Sequence, residues 1–136
     1  MQDPAREVEP TAAYPAAPEG LRIGHIHLRV GSVEQAEAFY RGALGLDLTR
    51  RRGGATFMSS GGYHHHVGAN VWHSESAGVR DPDRAGLSWF SIEAADQAAL
   101  DLAGARLESA NVPVRADGDR LETADPWGTR IRFAKA

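Results

Sequence analysis

Histidine is the residue type in this chain that is best suited to chemistry. The chain has six histidines, and five of them fall in two short stretches, His25 with His27 and His64 with His65 and His66. Neutral imidazole binds divalent metals such as iron, zinc and nickel, and imidazole also transfers protons near neutral pH. Because the chain has no cysteine, thiolate metal sites and thiol catalysis are excluded. The pattern predicts a divalent metal site, with a metal-free ligand cleft and a purely structural cluster as the alternatives.

Two predicted strands would carry these side chains. Polar and apolar residues alternate over residues 21–30, which is typical of a half-buried strand and places His25 and His27 on one face. A second strand is predicted at about residues 64–72. The alternation there turns His65 away and places four side chains toward a cavity: His64, His66, Asn70 and Trp72.

A repeated order of elements would position these strands. A strand, a helix and three short strands follow one another twice along the chain, and each helix begins after a residue that is a good N-cap. Trp89 falls on His25 at a spacing of 64 residues, and Gly128 falls on Gly62 at a spacing of 66. The spacings indicate that the chain is a two-fold repeat.

The repeat predicts an α+β fold made of two βαβββ modules, at about residues 21–74 and 86–136, in one domain. One such module covers only one face of its sheet, so two modules must pair to form a cavity. We expect curved mixed sheets around a cleft. Residues 1–20, which hold four of the seven prolines, are predicted to be a flexible tail.

Composition excludes several classes of partner. The 136 residues carry a formal net charge of -3, which gives no electrostatic basis for binding nucleic acid. No apolar run approaches the roughly 20 residues that span a bilayer, and the first residues do not resemble a secretory signal. We therefore expect a cytoplasmic protein that binds neither nucleic acid nor membranes.

Three motifs carry a family resemblance. The first runs from Gly24 to Val30 and continues into a helix that ends with Phe39-Tyr40 and a Leu-Gly turn, and the second is the closing strand from Asp125 to Phe133. Both resemble a module of the vicinal oxygen chelate superfamily, the fold of glyoxalases, bleomycin-resistance proteins and extradiol dioxygenases. The third, from Gly61 to His66 with the later Asn70-x-Trp72, is most similar to the catalytic half of bacterial catechol 2,3-dioxygenase-like proteins.

The resemblance implies a metal in the cleft that chelates two neighbouring oxygen atoms of a substrate. Ring-cleaving members take one His from the first strand of each module and a Glu from the last strand. His25 keeps the first position, but Trp89 and Arg132 stand at the other two. Arginine stays protonated at any ordinary pH, so we do not expect the standard ring-cleavage centre.

The glyoxalase-like branch suggests another ligand set, because it also draws a ligand from the last strand of the first module. The repeat places His66 there, at the position that corresponds to Arg132 at a spacing of 66 residues, so we predict His25 and His66 as the metal ligands. His64 or His27 is then a third ligand or a catalytic base, and Arg132 holds a developing oxyanion. The metal is expected to be iron, zinc, manganese or nickel.

The function that this set predicts is a metal-assisted isomerase, lyase or oxygenase acting on a small aromatic or carbonyl/enol substrate. Five further side chains are predicted to bind that substrate: Phe57, Tyr63, Asn70, Trp72 and Trp89. The alternative is a metal-free protein that sequesters a planar compound, as resistance members of the superfamily do, and a non-catalytic subunit is the third possibility. The resemblance also implies a homodimer.

Overall fold

The computed structural model of the chain describes residues 16–136. The predicted tail at residues 1–20 therefore lies mostly outside the described residues. The first module contains β1 (Ile26–Arg29), α1 (Val33–Glu37), a π-helical segment (Ala38–Ala43), β2 (Asp47–Arg52), β3 (Ala55–Ser59) and β4 (Val67–Asn70). The second module contains β5 (Trp89–Ala94), α2 (Gln97–Ser109), β6 (Arg115–Asp117), β7 (Arg120–Ala124) and β8 (Arg130–Lys135).

Each module forms a four-stranded mixed sheet. The strand orders are β1-β4-β3-β2 and β5-β8-β7-β6. In each sheet the first strand pairs in parallel with the last strand of its module, and the remaining pairs are antiparallel. The predicted α+β fold of two βαβββ modules is confirmed.

The helices begin where their capping residues predict. The Ser32 hydroxyl accepts a hydrogen bond from the backbone N–H of Gln35, and the Asp96 carboxylate accepts one from Ala99. The helix after Ser32 widens in its second half, because the Leu44 N–H bonds to the carbonyl of Phe39, five residues back. This π-helical segment was not predicted.

The strand pairing corrects one correspondence between the two modules. Ile26 pairs with Val67 in the first module and Phe90 pairs with Ile131 in the second, so both strand pairs repeat at a spacing of 64. The turn glycines repeat at 66 because the loop that leads into β4 is two residues longer than the loop that leads into β8. The position of Arg132 therefore corresponds to Gly68, and the prediction that it corresponds to His66 is wrong.

One continuous apolar core joins the helix-bearing sides of the two sheets. It contains Leu28 and Val67 from the first sheet, Ile131 and Phe133 from the second, and Leu107 from α2. Since strand side chains alternate between faces, the neighbouring residues of the strands point away from this core. The outward face of each sheet is therefore left free to carry polar side chains. No helix within residues 16–136 is long and apolar enough to cross a membrane.

A buried hydrogen bond ties the two modules together. Tyr40, which is fully buried in the π-helical segment, donates from its hydroxyl to Asp125 Oδ2 at 2.9 Å. Asp125 Oδ1 accepts from the backbone N–H groups of Trp127 and Thr129. Burial and the adjacent Asp125 carboxylate raise the pKa of Tyr40 far above its usual range, so the hydroxyl keeps its proton and stays a donor.

A buried carboxylate anchors α1 to the first sheet. Glu37 is 7% exposed, and its carboxylate accepts hydrogen bonds from the Arg51 guanidinium on β2 and from the Thr56 hydroxyl on β3. The bonds from Arg51 are the main reason why the pKa of Glu37 lies below its ordinary value. The interaction stabilises the fold most above the ordinary Glu pKa and is lost as the pH falls through the lowered one.

The substitution Glu37→Gln tests this anchor. We expect the free energy of unfolding to fall by about 1–2 kcal/mol at neutral pH, because the hydrogen bonds lose their charge while the exposed Arg51 side chain can return to water. We also expect urea unfolding between about pH 3 and pH 7 to depend less on pH in the variant than in the wild type. If the free energy of unfolding of the variant falls with decreasing pH as steeply as that of the wild type, Glu37 is not the source of the pH dependence.

Candidate metal site

Five of the six histidines gather on the outward face of the first sheet. His25 directly precedes β1 and His27 lies within it, while the core residue Leu28 between His27 and Arg29 points to the opposite side. The remaining three come from the loop between β3 and β4, where the first module has its two additional residues. The longer loop brings imidazoles over the start of β1.

Three imidazoles of this group could bind one metal ion. His25, His64 and His65 each offer a ring nitrogen, and these nitrogens lie within 4.8 Å of one another. The ring centroids are 4.5 Å apart for His25 and His65, 4.6 Å for His64 and His65, and 5.6 Å for His25 and His64. We call these three residues the histidine triad.

His65 is at the centre of the cluster. It is the least exposed of the five imidazoles, its Nε2 lies 3.0 Å from Nε2 of His27, and the Phe57 ring packs against it at 5.1 Å. Partial burial, followed by the proximity of His25 and the other histidines, lowers the pKa of His65 below its ordinary value. The ring is therefore neutral near pH 7, which is the form that coordinates a metal.

The triad fits a divalent transition metal in its chemistry, and its ring nitrogens are close enough to be drawn onto one ion. Neutral imidazoles suit zinc, iron, nickel and copper. Two nitrogens on a tetrahedral zinc ion are about 3.3 Å apart, given Zn–N distances of about 2.0–2.1 Å. The nitrogens of the triad lie within 4.8 Å of one another, so the exposed side chains of His25 and His64 must rotate toward His65 to bind one ion. Within residues 16–136, this is the one group of three such residues close enough to share an ion.

The predicted orientation of His65 is wrong. Strand alternation was expected to turn it away from the cavity, but β4 begins only at Val67. Residues 64–66 therefore lie in the loop, where alternation does not apply, and His65 turns toward His25.

His66, which was predicted as the second metal ligand, has other contacts. Its ring stacks on Tyr63 at 4.7 Å, and its Nδ1 accepts a hydrogen bond from the Ser60 N–H at 3.2 Å. It is not a member of the triad. The structure thus groups His25 with His64 and His65 instead of with His66.

The residues that were predicted to bind substrate divide between the cluster and other places. Phe57 contacts His27 and His65, and Tyr63 contacts His64 at 4.2 Å between centroids. Asn70 is buried, and its side chain accepts from the backbone N–H of Trp72. The Trp72 indole donates to the carbonyl of Gly53 in the turn between β2 and β3. Phe57 and Tyr63 are therefore the two that line the histidine cluster.

The other two predicted site residues lie together on the second sheet. The Arg132 guanidinium stacks over the Trp89 ring at 4.1 Å, and its Nε donates to Glu122 at 2.9 Å. Arg115 also donates to Glu122. The bonds from Arg132 and Arg115 lower the pKa of Glu122. The charge of Arg132 is thus balanced by Glu122 within its own sheet. This ion pair weakens the prediction that Arg132 holds an oxyanion.

Two residues of the histidine cluster and the strand beneath it were not predicted as site residues from the sequence. His65 was misplaced because the start of β4 was set too early, and the two-residue excess of the preceding loop was the signal that could have located it. Gly68 was not considered, although it is buried in β4 and the His27 ring lies over it. A Cβ atom at Gly68 would lie 2.9 Å from two atoms of that ring.

Comparison with known sequences agrees with the architecture. Residues 22–133 match the family model of the Glyoxalase/Bleomycin resistance protein/Dioxygenase superfamily. A catechol-2,3-dioxygenase of Bacillus subtilis (strain 168) is 35% identical over 119 residues, which cover 85% of this chain and 42% of that protein. The chain thus spans about two-fifths of the length of this relative.

Solved structures with similar folds include two glyoxalase-type proteins. A lactoylglutathione lyase from Agrobacterium tumefaciens superposes with a TM-score of 0.64 at 21% identity, covering 88% of this chain and 96% of that one. The trypanothione-dependent glyoxalase I of Leishmania major gives 0.63 at 20% identity, covering 85% and 86%. At these identities the likeness concerns the fold.

Proposed function

Because the chain belongs to the glyoxalase/bleomycin resistance protein/dioxygenase superfamily, we propose that it is a metal-dependent enzyme for a small aromatic or carbonyl/enol substrate with two neighbouring oxygen atoms. The observation that carries the proposal is the histidine triad of His25, His64 and His65. A divalent cation held by these residues would supply Lewis acidity, which lowers the pKa of a substrate hydroxyl, enol or bound water.

The ligand types favour isomerase or lyase chemistry over oxygenation. The two-histidine, one-carboxylate facial triad is the ligand set typical of non-haem iron oxygenases, whereas the histidine triad offers three imidazoles and no carboxylate. Without a carboxylate ligand, no negative charge from the protein would offset the cation, which would polarise the substrate oxygens more strongly. Ring cleavage, which the name of the Bacillus relative suggests, is the alternative reaction.

The residues around the triad have distinct tasks in this proposal. Phe57 and Tyr63 offer aromatic faces beside the imidazoles, which suits a planar substrate. His66 can move a proton. Since its Nδ1 accepts from the Ser60 N–H, the hydrogen of the neutral ring is on Nε2, where it can be donated.

A second copy of the chain is proposed to cover the exposed histidine cluster and so complete a cleft. The core lies on the helix-bearing sides of both sheets, and the outward faces keep Tyr63 40% exposed and Trp89 42% exposed. In a homodimer, the Trp89 and Arg132 face of one protomer would cover the histidine cluster of its partner. The two predicted site residues on the second sheet would then line the same cavity as the triad.

Metal reconstitution combined with turnover tests the proposal. Protein stripped with a chelator and titrated separately with Zn²⁺, Fe²⁺, Mn²⁺ and Ni²⁺ should bind about one equivalent per chain of at least one ion. In a panel of catechols, α-hydroxycarbonyl compounds and glutathione hemithioacetals, the loaded protein should convert at least one class of compound, and the stripped protein should convert none. His73→Ala, a change at an exposed histidine outside the cluster, is the matched control and should behave as the wild type.

A metal-free binding protein is the second candidate, and the aromatic pair beside the cluster favours it. If no ion binds, and planar aromatic compounds quench tryptophan fluorescence equally with and without a chelator, the protein is a sequestering protein and the enzyme proposal is wrong.

A further inference from the structure

One contact within the cluster joins a triad member to a histidine outside the triad. Nε2 of His27 and Nε2 of His65 are 3.0 Å apart, which is a hydrogen-bond distance, so one of the two nitrogens carries a hydrogen and the other accepts it. His27 itself is not a member of the triad. The contact therefore fixes the ring of His65 from the side.

The absence of a side chain at Gly68 makes room for the His27 ring in this contact. His27 pairs with Gly68 across the parallel strands β1 and β4, and the His27 ring occupies the space where a side chain at position 68 would lie. A Cβ atom there would approach ring atoms Cε1 and Nδ1 to 2.9 Å, a distance at which the ring must move. Gly68 thus allows the His27 ring to lie flat on the sheet with its Nε2 toward His65.

We propose that His27 is a positioning residue: it rests on Gly68, accepts a hydrogen bond from Nε2–H of His65, and so presents Nδ1 of His65 to the metal ion. The inference rests on the proposed metal function. Ligating histidines commonly donate their second ring N–H to a partner that fixes the tautomer and the ring orientation, and loss of that partner weakens metal affinity by about 10- to 100-fold.

The role differs from the one expected from sequence, which gave His27 as a ligand or a base. A base would need a free nitrogen directed toward the substrate, and Nε2 is engaged by His65 while the Nδ1 edge lies over Gly68. Phe57 packs against both rings, at 5.9 Å from His27 and 5.1 Å from His65. The His27–His65 pair therefore packs between Gly68 and Phe57. As a result, the orientation of His65 is fixed in the absence of a metal ion.

Calorimetric titration of the full chain with Co²⁺ and Zn²⁺ tests the role, with the visible absorption spectrum of bound Co²⁺ as a second readout. His27→Phe keeps an aromatic ring at this position but removes both nitrogens, and it should weaken Co²⁺ affinity about 10- to 100-fold and alter the spectrum. His27→Gln retains an amide oxygen that can accept from His65, so we expect it to rescue most of the affinity. Gly68→Ala, which displaces the His27 ring, should resemble His27→Phe.

Matched controls and X-ray absorption decide between the outcomes. Gly53→Ala adds the same methyl group where no other atom lies within 4 Å of the added Cβ, and it should bind Co²⁺ as the wild type does. X-ray absorption of the Co²⁺ protein should count three imidazoles in both the wild type and His27→Gln. A fourth imidazole that disappears in His27→Gln would make His27 a ligand and overturn the inference.

The same titrations separate the two proposals. If the wild type binds Co²⁺ and His27→Phe binds it equally well with an unchanged spectrum, the positioning role is wrong while the metal function stands. If the wild type binds neither ion, both proposals fail.

Discussion

His65→Ala is expected to abolish metal binding, with a loss of affinity of at least about 100-fold for Zn²⁺ and Co²⁺. The ring lies within reach of both other members of the triad, and it is the member that partial burial, Phe57 and His27 hold in place. Its loss leaves only the exposed side chains of His25 and His64, and two flexible imidazoles bind a divalent ion weakly. Calorimetric titration of the chelator-stripped proteins measures the difference.

His66→Ala is the matched control for this prediction. His66 is the next residue in the same loop, but its ring stacks on Tyr63 outside the triad. We expect its removal to change metal affinity less than about threefold while slowing turnover, if it delivers a proton as proposed. The reverse order, with His66→Ala losing the metal and His65→Ala keeping it, would restore the ligand pair expected from the sequence and contradict the triad.

Asp125→Ala is expected to produce the largest loss of stability, about 3–4 kcal/mol in the free energy of unfolding. The carboxylate is 5% exposed and accepts three hydrogen bonds, from the Tyr40 hydroxyl and from the N–H groups of Trp127 and Thr129. Each buried donor left without an acceptor costs about 1–3 kcal/mol. The Tyr40 bond also crosses between modules, so its loss should loosen their contact. Urea unfolding of the apo protein measures the change.

Two milder variants separate the hydrogen bonds of this site. Asp125→Asn keeps an oxygen for the two backbone donors, and its amide can donate to the Tyr40 hydroxyl oxygen, so a loss of about 1 kcal/mol is expected. Tyr40→Phe should cost about 1–2 kcal/mol alone and much less in the Asp125→Ala background, because the two changes remove the same bond. A loss below about 1 kcal/mol for Asp125→Ala would show that the buried carboxylate is not a structural link.

The sequence predicted the fold well because both modules follow simple rules. Alternation along residues 21–30 correctly placed Leu28 in the core and His27 on the opposite face. The N-capping residues Ser32 and Asp96 marked the helix starts. These features depend on periodicity and capping, which are determined by residues close together in the sequence.

The site could be predicted only in part, because it depends on where strands begin and how they pair. His64, His65 and His66 were assigned by alternation in a strand that in fact starts at Val67. Nor does a single sequence reveal that Glu122 lies opposite Arg132 in the antiparallel pairing of β7 and β8. That register determines the partner of the arginine, and it is set by the turn between these strands.

Anomalous X-ray diffraction at the metal edge, from crystals of the zinc- or iron-loaded protein, locates the bound ion among the histidines. We expect one peak per chain on the outward face of the first sheet, about 2.0–2.1 Å from a ring nitrogen of each of His25, His64 and His65 when the ion is zinc. A peak bound by His25 together with His66, or no peak at the cluster in crystals grown with saturating metal, would contradict this expectation.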